Sequence, residues 1–108
     1  MKLIIAIVSA EDQNRVSKHL TQHGFSATKL STTGGFLMAG NTTFLIGCEE
    51  DKVDEALGII KRHSQKRTRL VPASSMPPHA GAYVSAPVEV TVGGATVFVV
   101  DVEKFEKM

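Results

Sequence analysis

The chain of 108 residues is nearly neutral and poor in cysteine, with 12 Lys and Arg against 11 Asp and Glu, a net charge of +1, and one Cys. This length predicts a single domain, residues 1–108, with one hydrophobic core. The charge excludes a protein whose main role is to coat a nucleic acid, since that role requires many uncompensated cations. A single cysteine excludes an intramolecular disulfide, and the ligand spacings of structural zinc are absent, so we expect a reducing, cytoplasmic location.

Residues 3–8 form a short apolar run rich in β-branched side chains. Glu11 and Asp12 follow the run almost at once, which does not fit a secretory signal peptide. No other run approaches the roughly 18 apolar residues of a membrane span. We therefore predict a buried strand and no insertion into a membrane.

The next residues carry the signals of a helix. Ser9 and Asp12 have the spacing of a capping box, and the apolar residues Val16 and Leu20 lie one helical turn apart. These signals predict a helix over residues 10–23, which a glycine then ends.

Two β-compatible segments, 25–33 and 41–47, flank a glycine-containing loop and predict a hairpin. Three acidic residues at 49–51 then precede apolar residues at helical spacing, which predicts a second helix. The periodic pattern is lost over about 63–87, where prolines recur and only 68–71 is compatible with a strand. We expect a long, flexible loop there.

Segments 88–92 and 95–102 alternate in polarity around Gly93 and Gly94, which is the strongest hairpin signal in the chain. The elements therefore follow the order strand, helix, strand, strand, helix, loop and two strands. This order predicts an α+β fold: a ferredoxin-like antiparallel sheet with two helices on one face and an extra C-terminal hairpin.

The tip of the first predicted hairpin combines hydroxyl, amide and glycine backbone groups at residues 32–35 and 40–43. Such neutral groups can hold a phosphate or hydrogen-bond a base. Phe36, Leu37 and Met38 lie between them, and three large apolar side chains in a loop favour contact with a neighbouring chain or a planar ligand. A hairpin folded back onto its own core explains them equally well, so both interpretations stay open at this point.

Signals for catalysis or metal binding are weak. A G-x-x-x-x-G spacing begins at Gly35, but Asn41 replaces the lysine that a Walker A loop needs for its phosphates. His19 and His23 lie one turn apart without a third ligand, which favours solvent-facing histidines over a metal site. Cys48 precedes two glutamates that would raise its pKa, so we interpret it as a packing residue. We expect no enzyme, no metal and no cofactor.

The dense basic segment of the chain follows the second predicted helix. It contains Lys61, Arg62, His63, Lys66, Arg67 and Arg69. Cations at the carboxyl end of a helix complement its dipole and aid solubility, which is one explanation of the segment. Capture of an anionic ligand is the other.

Three stretches of the chain resemble the bacterial PII-like cyclic di-AMP receptor family: residues 27–37 with T-T-G-G-F-L, residues 40–44 with G-N-T-T-F, and residues 87–99. The resemblance covers essentially the whole chain. It implies a PII-like domain that assembles into a homotrimer and binds one cyclic di-AMP at each subunit interface. It also implies a non-enzymatic signalling receptor whose loops rearrange on binding and act on an unknown downstream protein.

Position by position, the resemblance assigns ligand contacts to Thr28, Gly35, Phe36, Leu37, Asn41, Gly47 and Phe98. It implies that Phe36 and Leu37 contact the adenine, and that Asn41 and backbone amides hold polar edges and phosphates.

Three positions depart from the family pattern. Gly24 and Ser26 stand where Asn and Arg are common, and Lys107 stands where a polar amide is common. Loss of the arginine removes a charge-assisted hydrogen bond of about 1.5 to 3 kcal/mol. The alternative to a cyclic di-AMP receptor is therefore a PII-like interaction module that binds another nucleotide or no ligand.

Overall fold

A four-stranded antiparallel sheet with two helices on one face forms the body of the computed structural model, which describes residues 1–30, 40–71 and 87–108. The elements are β1 (Lys2–Ser9), α1 (Gln13–Gln22), β2 (Ala27–Leu30), β3 (Asn41–Cys48), a 3-10 turn (Glu50–Lys52), α2 (Val53–His63), β4 (Arg67–Val71), β5 (Val88–Val92) and β6 (Ala95–Asp101). The sheet order is β2-β3-β1-β6, and β4 and β5 form a separate antiparallel ribbon. The predicted α+β, ferredoxin-like fold is confirmed.

The core lies between the sheet and the helices. Alternate residues of the central strands point toward the helices, because side chains along a strand alternate between the two faces of a sheet. The buried cluster includes Ile4, Ala6 and Val8 of β1, Phe44 and Ile46 of β3, Val16 and Leu20 of α1, and Ala56, Ile59 and Ile60 of α2. Neither helix in the described part of the chain is long and apolar enough to cross a membrane.

Helix α1 begins at Gln13, three residues later than the sequence predicts, and no side chain caps it. Asp12 occupies the N-cap position and is fully buried. Its carboxylate accepts hydrogen bonds from Arg15 at 2.7 Å and from Arg67 at 2.9 Å. The predicted capping box is therefore not formed, since charged donors bind a buried carboxylate more strongly than a backbone amide does.

The predicted C-terminal hairpin is wrong. β5 pairs with β4, from Val71↔Val88 to Arg67↔Val92, and β6 pairs with β1 instead. Gly93 and Gly94 connect the two strands with φ angles of +86° and +88°, and the Gly94 amide donates to the Ser64 carbonyl. The chain therefore passes from the ribbon into the sheet, where β6 satisfies the backbone groups along the second edge of β1.

Two other predicted segments differ in extent. The first hairpin is formed by β2 and β3, with Ala27 opposite Ile46 and Leu30 opposite Thr43. The segment predicted as a loop over about 63–87 includes the end of α2 and all of β4. Residues 72–86 of that segment lie outside the described residues.

Cys48, at the end of β3, is 9% exposed, and burial raises the pKa of its thiol above the ordinary value, with the charge of Glu49 raising it further. We expect an aromatic disulfide reagent at pH 8 to label the native protein at least about tenfold more slowly than the urea-unfolded chain, because the thiolate is the reactive form. The folded pKa is the higher one, so the contribution of this thiol to stability is complete below its unfolded pKa and is lost as the pH rises through the folded pKa. Equal labelling rates, with Cys48→Ser as the background control, would contradict this.

Candidate functional site

The face of the sheet opposite the helices is largely apolar at its centre and partly exposed. Leu3, Ile5 and Ile7 alternate with the core residues of β1 and are only partly buried. Leu45 of β3 and Phe98 of β6 lie on either side of Ile5 as its cross-strand partners, and Phe98 is 54% exposed. We call this surface the open face. An apolar sheet face of this kind is typical of a surface that another chain covers.

A cavity of about 600 Å³ lies at one end of the open face. Its apolar wall consists of Leu3, Leu45, Val102 and Phe105, and its polar groups come from Ser26, Thr28, Glu106 and Lys107, with Gly47 at the backbone. Cavities of roughly 300 to 1,000 Å³ with apolar walls and a few polar groups are typical of small-molecule sites. We call it the open-face cavity.

The strand register places two of the predicted ligand residues together in the open-face cavity. Thr28 of β2 lies opposite Leu45, and Gly47 is two residues further along β3 on the same face. A Cβ atom built on Gly47 would have nothing within 4 Å, so the backbone of β3 is accessible from the cavity. Thr28 and Gly47 can therefore contact one ligand from two adjacent strands.

Asn41 and Phe98, two other predicted ligand residues, do not line the open-face cavity. Asn41 begins β3, six residues before Gly47, and this separation corresponds to roughly 20 Å along an extended strand. It lines a second, more polar cavity of about 260 Å³ together with Lys66. Phe98 lies on the open face but does not line the open-face cavity. Gly35, Phe36 and Leu37 lie outside the described residues.

Two of the positions that depart from the family pattern, Ser26 and Lys107, line the open-face cavity beside Thr28. Glu106 is adjacent in sequence, but its carboxylate pairs with Lys104 at 3.1 Å. Lys107 has no ion pair within the described ranges. Its ammonium group therefore supplies positive charge at the cavity.

Sequence reasoning did not single out Phe105 as part of a site. It follows β6 and lines the open-face cavity with 63% of its surface exposed. Its signal in the sequence is a lone aromatic residue in a charged C-terminal segment. Only the path that the chain takes after β6 shows that Phe105 lines the same cavity as Leu3 and Leu45.

His19 and His23 of α1 each have a separate contact. His19 stacks on His63 of α2, with ring centroids 3.7 Å apart and planes inclined by 7°. The ring of His23 lies 2.8 Å from the His19 carbonyl oxygen through Nδ1. Within residues 1–30, 40–71 and 87–108, no three His, Cys, Asp or Glu side chains are placed to hold a metal ion.

The whole length of the chain matches one family model, described as cyclic-di-AMP receptor, over residues 1–108. The chain belongs to the cyclic-di-AMP receptor family. The chain is also similar to a protein of unknown function from Pediococcus pentosaceus ATCC 25745 whose crystal structure has been solved. The two are 48% identical over 99% of this chain and 96% of the other, with a TM-score of 0.74. The predicted family is confirmed, and the family's ligand is the cyclic di-AMP that the resemblance implies.

Proposed function

We propose that this member of the cyclic-di-AMP receptor family is a non-enzymatic, cytoplasmic signalling receptor. It binds cyclic di-AMP at the subunit interfaces of a homotrimer and acts on a downstream protein through loop rearrangement. The observation that carries the proposal is that Thr28 and Gly47, two residues predicted to contact the ligand, line one cavity of about 600 Å³ on the open face.

A subunit interface accounts for the separation of the predicted contacts. Thr28 and Gly47 lie at one end of the open face, whereas Asn41 begins β3 at its other end and Phe98 lies on β6. When open faces of neighbouring subunits meet, side chains of one subunit complete the cavity of the next. Burial of the apolar face favours that assembly by about 25 cal/mol for each Å² removed from water.

Lys107 supports a phosphate-bearing ligand over the alternative of an empty interaction module. It lines the same cavity as Ser26, the position at which the family pattern has an arginine. A lysine ammonium binds phosphate as a point charge, without the planar fork of arginine. The cavity therefore has a cation that can bind a phosphate, and a lysine places a weaker constraint on the orientation of the phosphate than an arginine does.

Titration calorimetry with cyclic di-AMP, cyclic di-GMP and ATP tests the ligand. We expect cyclic di-AMP to bind with a Kd of about 10 μM or below, one molecule per subunit, and the other two to bind at least about tenfold more weakly. A millimolar Kd for cyclic di-AMP contradicts the proposal. Tighter binding of ATP would establish the other-nucleotide alternative, and no heat with any of the three would establish the ligand-free module.

A charge on the open face is expected to break the assembly. Ile5→Glu places a carboxylate between Leu45 and Phe98, where an interface would have to desolvate it. Light scattering should give the wild type a mass about three times the 11.6 kDa of one chain, and the variant the mass of one chain. Asn14→Glu adds the same charge on the exposed side of α1 and should leave the trimer intact. A monomeric wild type, or a trimeric Ile5→Glu protein, would contradict the assembly through this face.

A further inference from the structure

A basic pocket lies on the helix side of the subunit, where the end of α2 and the start of β4 meet the first turn of α1. It measures about 300 Å³ and is lined by Arg15, Arg62, His63, Gln65, Lys66 and Arg67. None of these residues lines the open-face cavity. We call this site the basic pocket.

Two guanidinium groups of the basic pocket are held in place by a buried carboxylate. Asp12 is fully buried and accepts hydrogen bonds from Arg15 at 2.7 Å and Arg67 at 2.9 Å. Arg15 also donates to the His63 carbonyl at 3.4 Å, and Arg67 donates to the Gln65 carbonyl at 3.1 Å. The two side chains remain 51% and 40% exposed, and a guanidinium has five N–H donors. Arg67 also donates to the second Asp12 oxygen at 3.4 Å and to Glu11 at 3.5 Å, which leaves its Nε–H as the donor without a partner among the described residues. Arg15 is therefore oriented in advance and keeps its Nη1 donors for a ligand, and Arg67 contributes its charge and one donor.

Positive charge exceeds negative charge around the basic pocket. Arg15, Arg62, Lys66, Arg67 and Arg69 are the cations, and Asp12 and Glu11 are the carboxylates that pair with them. Arg62 and Lys66 form no ion pair among the residues that the structure describes. Three cations thus share two carboxylates while two more have none, and this excess of positive charge favours an anion.

The imidazole of His63 responds to the same surroundings. Burial lowers the pKa of His63, and His19, Arg62 and Arg15 lower it further, with a contribution from His23. The ring is therefore neutral at pH 7, since its ordinary pKa is already about 6.5. An anion bound in the basic pocket would oppose the field of these cations and raise that pKa.

We propose that the basic pocket is a phosphate site, separate from the open-face cavity, that binds the phosphate group of a small molecule. Arginine forks match the oxygen geometry of a phosphate, and their orientation by Asp12 reduces the entropy lost on binding. The pocket volume of about 300 Å³ suits one or two phosphate groups. A long nucleic acid is disfavoured as the ligand, because binding it requires many uncompensated cations and the net charge of the chain is only +1.

Titration of the full-length protein with inorganic pyrophosphate tests the site, with Arg62→Gln as the variant. Arg62 does not contact Asp12, so its removal leaves no buried charge unpaired. We expect a wild-type Kd of about 1 mM or below at low salt, and at least about tenfold weaker binding by the variant. Lys61→Gln removes the same charge from the adjacent residue, which does not line the basic pocket, and should change the Kd less than about twofold.

Three results would overturn the phosphate site: no binding by the wild type, equal losses in Arg62→Gln and Lys61→Gln, or tighter and steeply salt-dependent binding of a single-stranded oligonucleotide. A second readout is the pH titration of the His63 ring protons by NMR. The groups that lower the pKa of His63 are His19, His23, Arg15 and Arg62, and bound pyrophosphate should oppose their effect. Saturating pyrophosphate should therefore raise the midpoint of the His63 titration, and an unchanged midpoint would also overturn the site. Cyclic di-AMP affinity should be the same in both variants, so this test is separate from that of the proposed receptor function.

Discussion

Gly47→Phe is expected to lower the affinity for cyclic di-AMP at least about a hundredfold, or about 2.7 kcal/mol of binding free energy, while the subunit stays folded. Gly47 lines the open-face cavity, and an added Cβ would meet no atom within 4 Å. Its φ is not in the left-handed region, and phenylalanine is favoured in strands, so β3 can carry the larger side chain. The phenyl ring then occupies space that the ligand needs.

Gly47→Ala is the matched control for Gly47→Phe. It adds only a methyl group in open space, so we expect its affinity to stay within about threefold of the wild type. Calorimetry measures both affinities, and circular dichroism with light scattering confirms the fold and the mass of each variant. Wild-type affinity in a folded Gly47→Phe protein would show that the ligand does not bind in the open-face cavity.

Gly93→Ala is expected to lower the free energy of unfolding by about 2 to 5 kcal/mol. Gly93 has a φ of +86°, which costs a residue with a Cβ about 1 to 2 kcal/mol. Its added Cβ would also collide with the Gln65 carbonyl oxygen and lie 2.8 Å from Nη1 of Arg67. A backbone carbonyl cannot move aside as a flexible side chain can, so overpacking adds about 1 to 3 kcal/mol.

Gly24→Ala separates the two contributions. Gly24 has nearly the same φ, +85°, but an added Cβ would meet nothing within 4 Å. We expect it to cost only the backbone strain, about 1 to 2 kcal/mol. Urea denaturation at one fixed protein concentration measures both variants, because assembly makes apparent stability depend on concentration. Equal losses in the two variants would show that the close approach at Gly93 does not contribute.

The family resemblance assigned ligand contacts to Thr28 and Gly47, and both residues line the open-face cavity. It did not single out Phe105, and only the structure shows that Phe105 and Lys107 line the same cavity. These two residues reach it only because β6 pairs with β1 and delivers the C-terminal segment beside Leu3. That pairing joins residues about a hundred positions apart, and no local pattern reports it.

The same limit explains the predictions that were wrong. Alternation around Gly93 and Gly94 is a local hairpin signal, but β5 and β6 pair with different partners because β4 and β1 offer them free edges. Asp12 has the position of a helix cap, but Arg67 reaches its buried carboxylate from β4. In both cases a contact distant in sequence is stronger than the local preference.

The sequence by itself determined the elements, the α+β class and the family. These follow from alternation, helical spacing and turn residues, which act over a few positions, and from the motifs T-T-G-G-F-L and G-N-T-T-F. Only the tertiary structure decided which strands pair, what lines the open-face cavity, and that Arg15 and Arg67 converge on Asp12. These features depend on contacts between segments that are distant in sequence, which compete for free strand edges, for apolar surface and for buried charge. The outcome of that competition is fixed only when the whole chain folds.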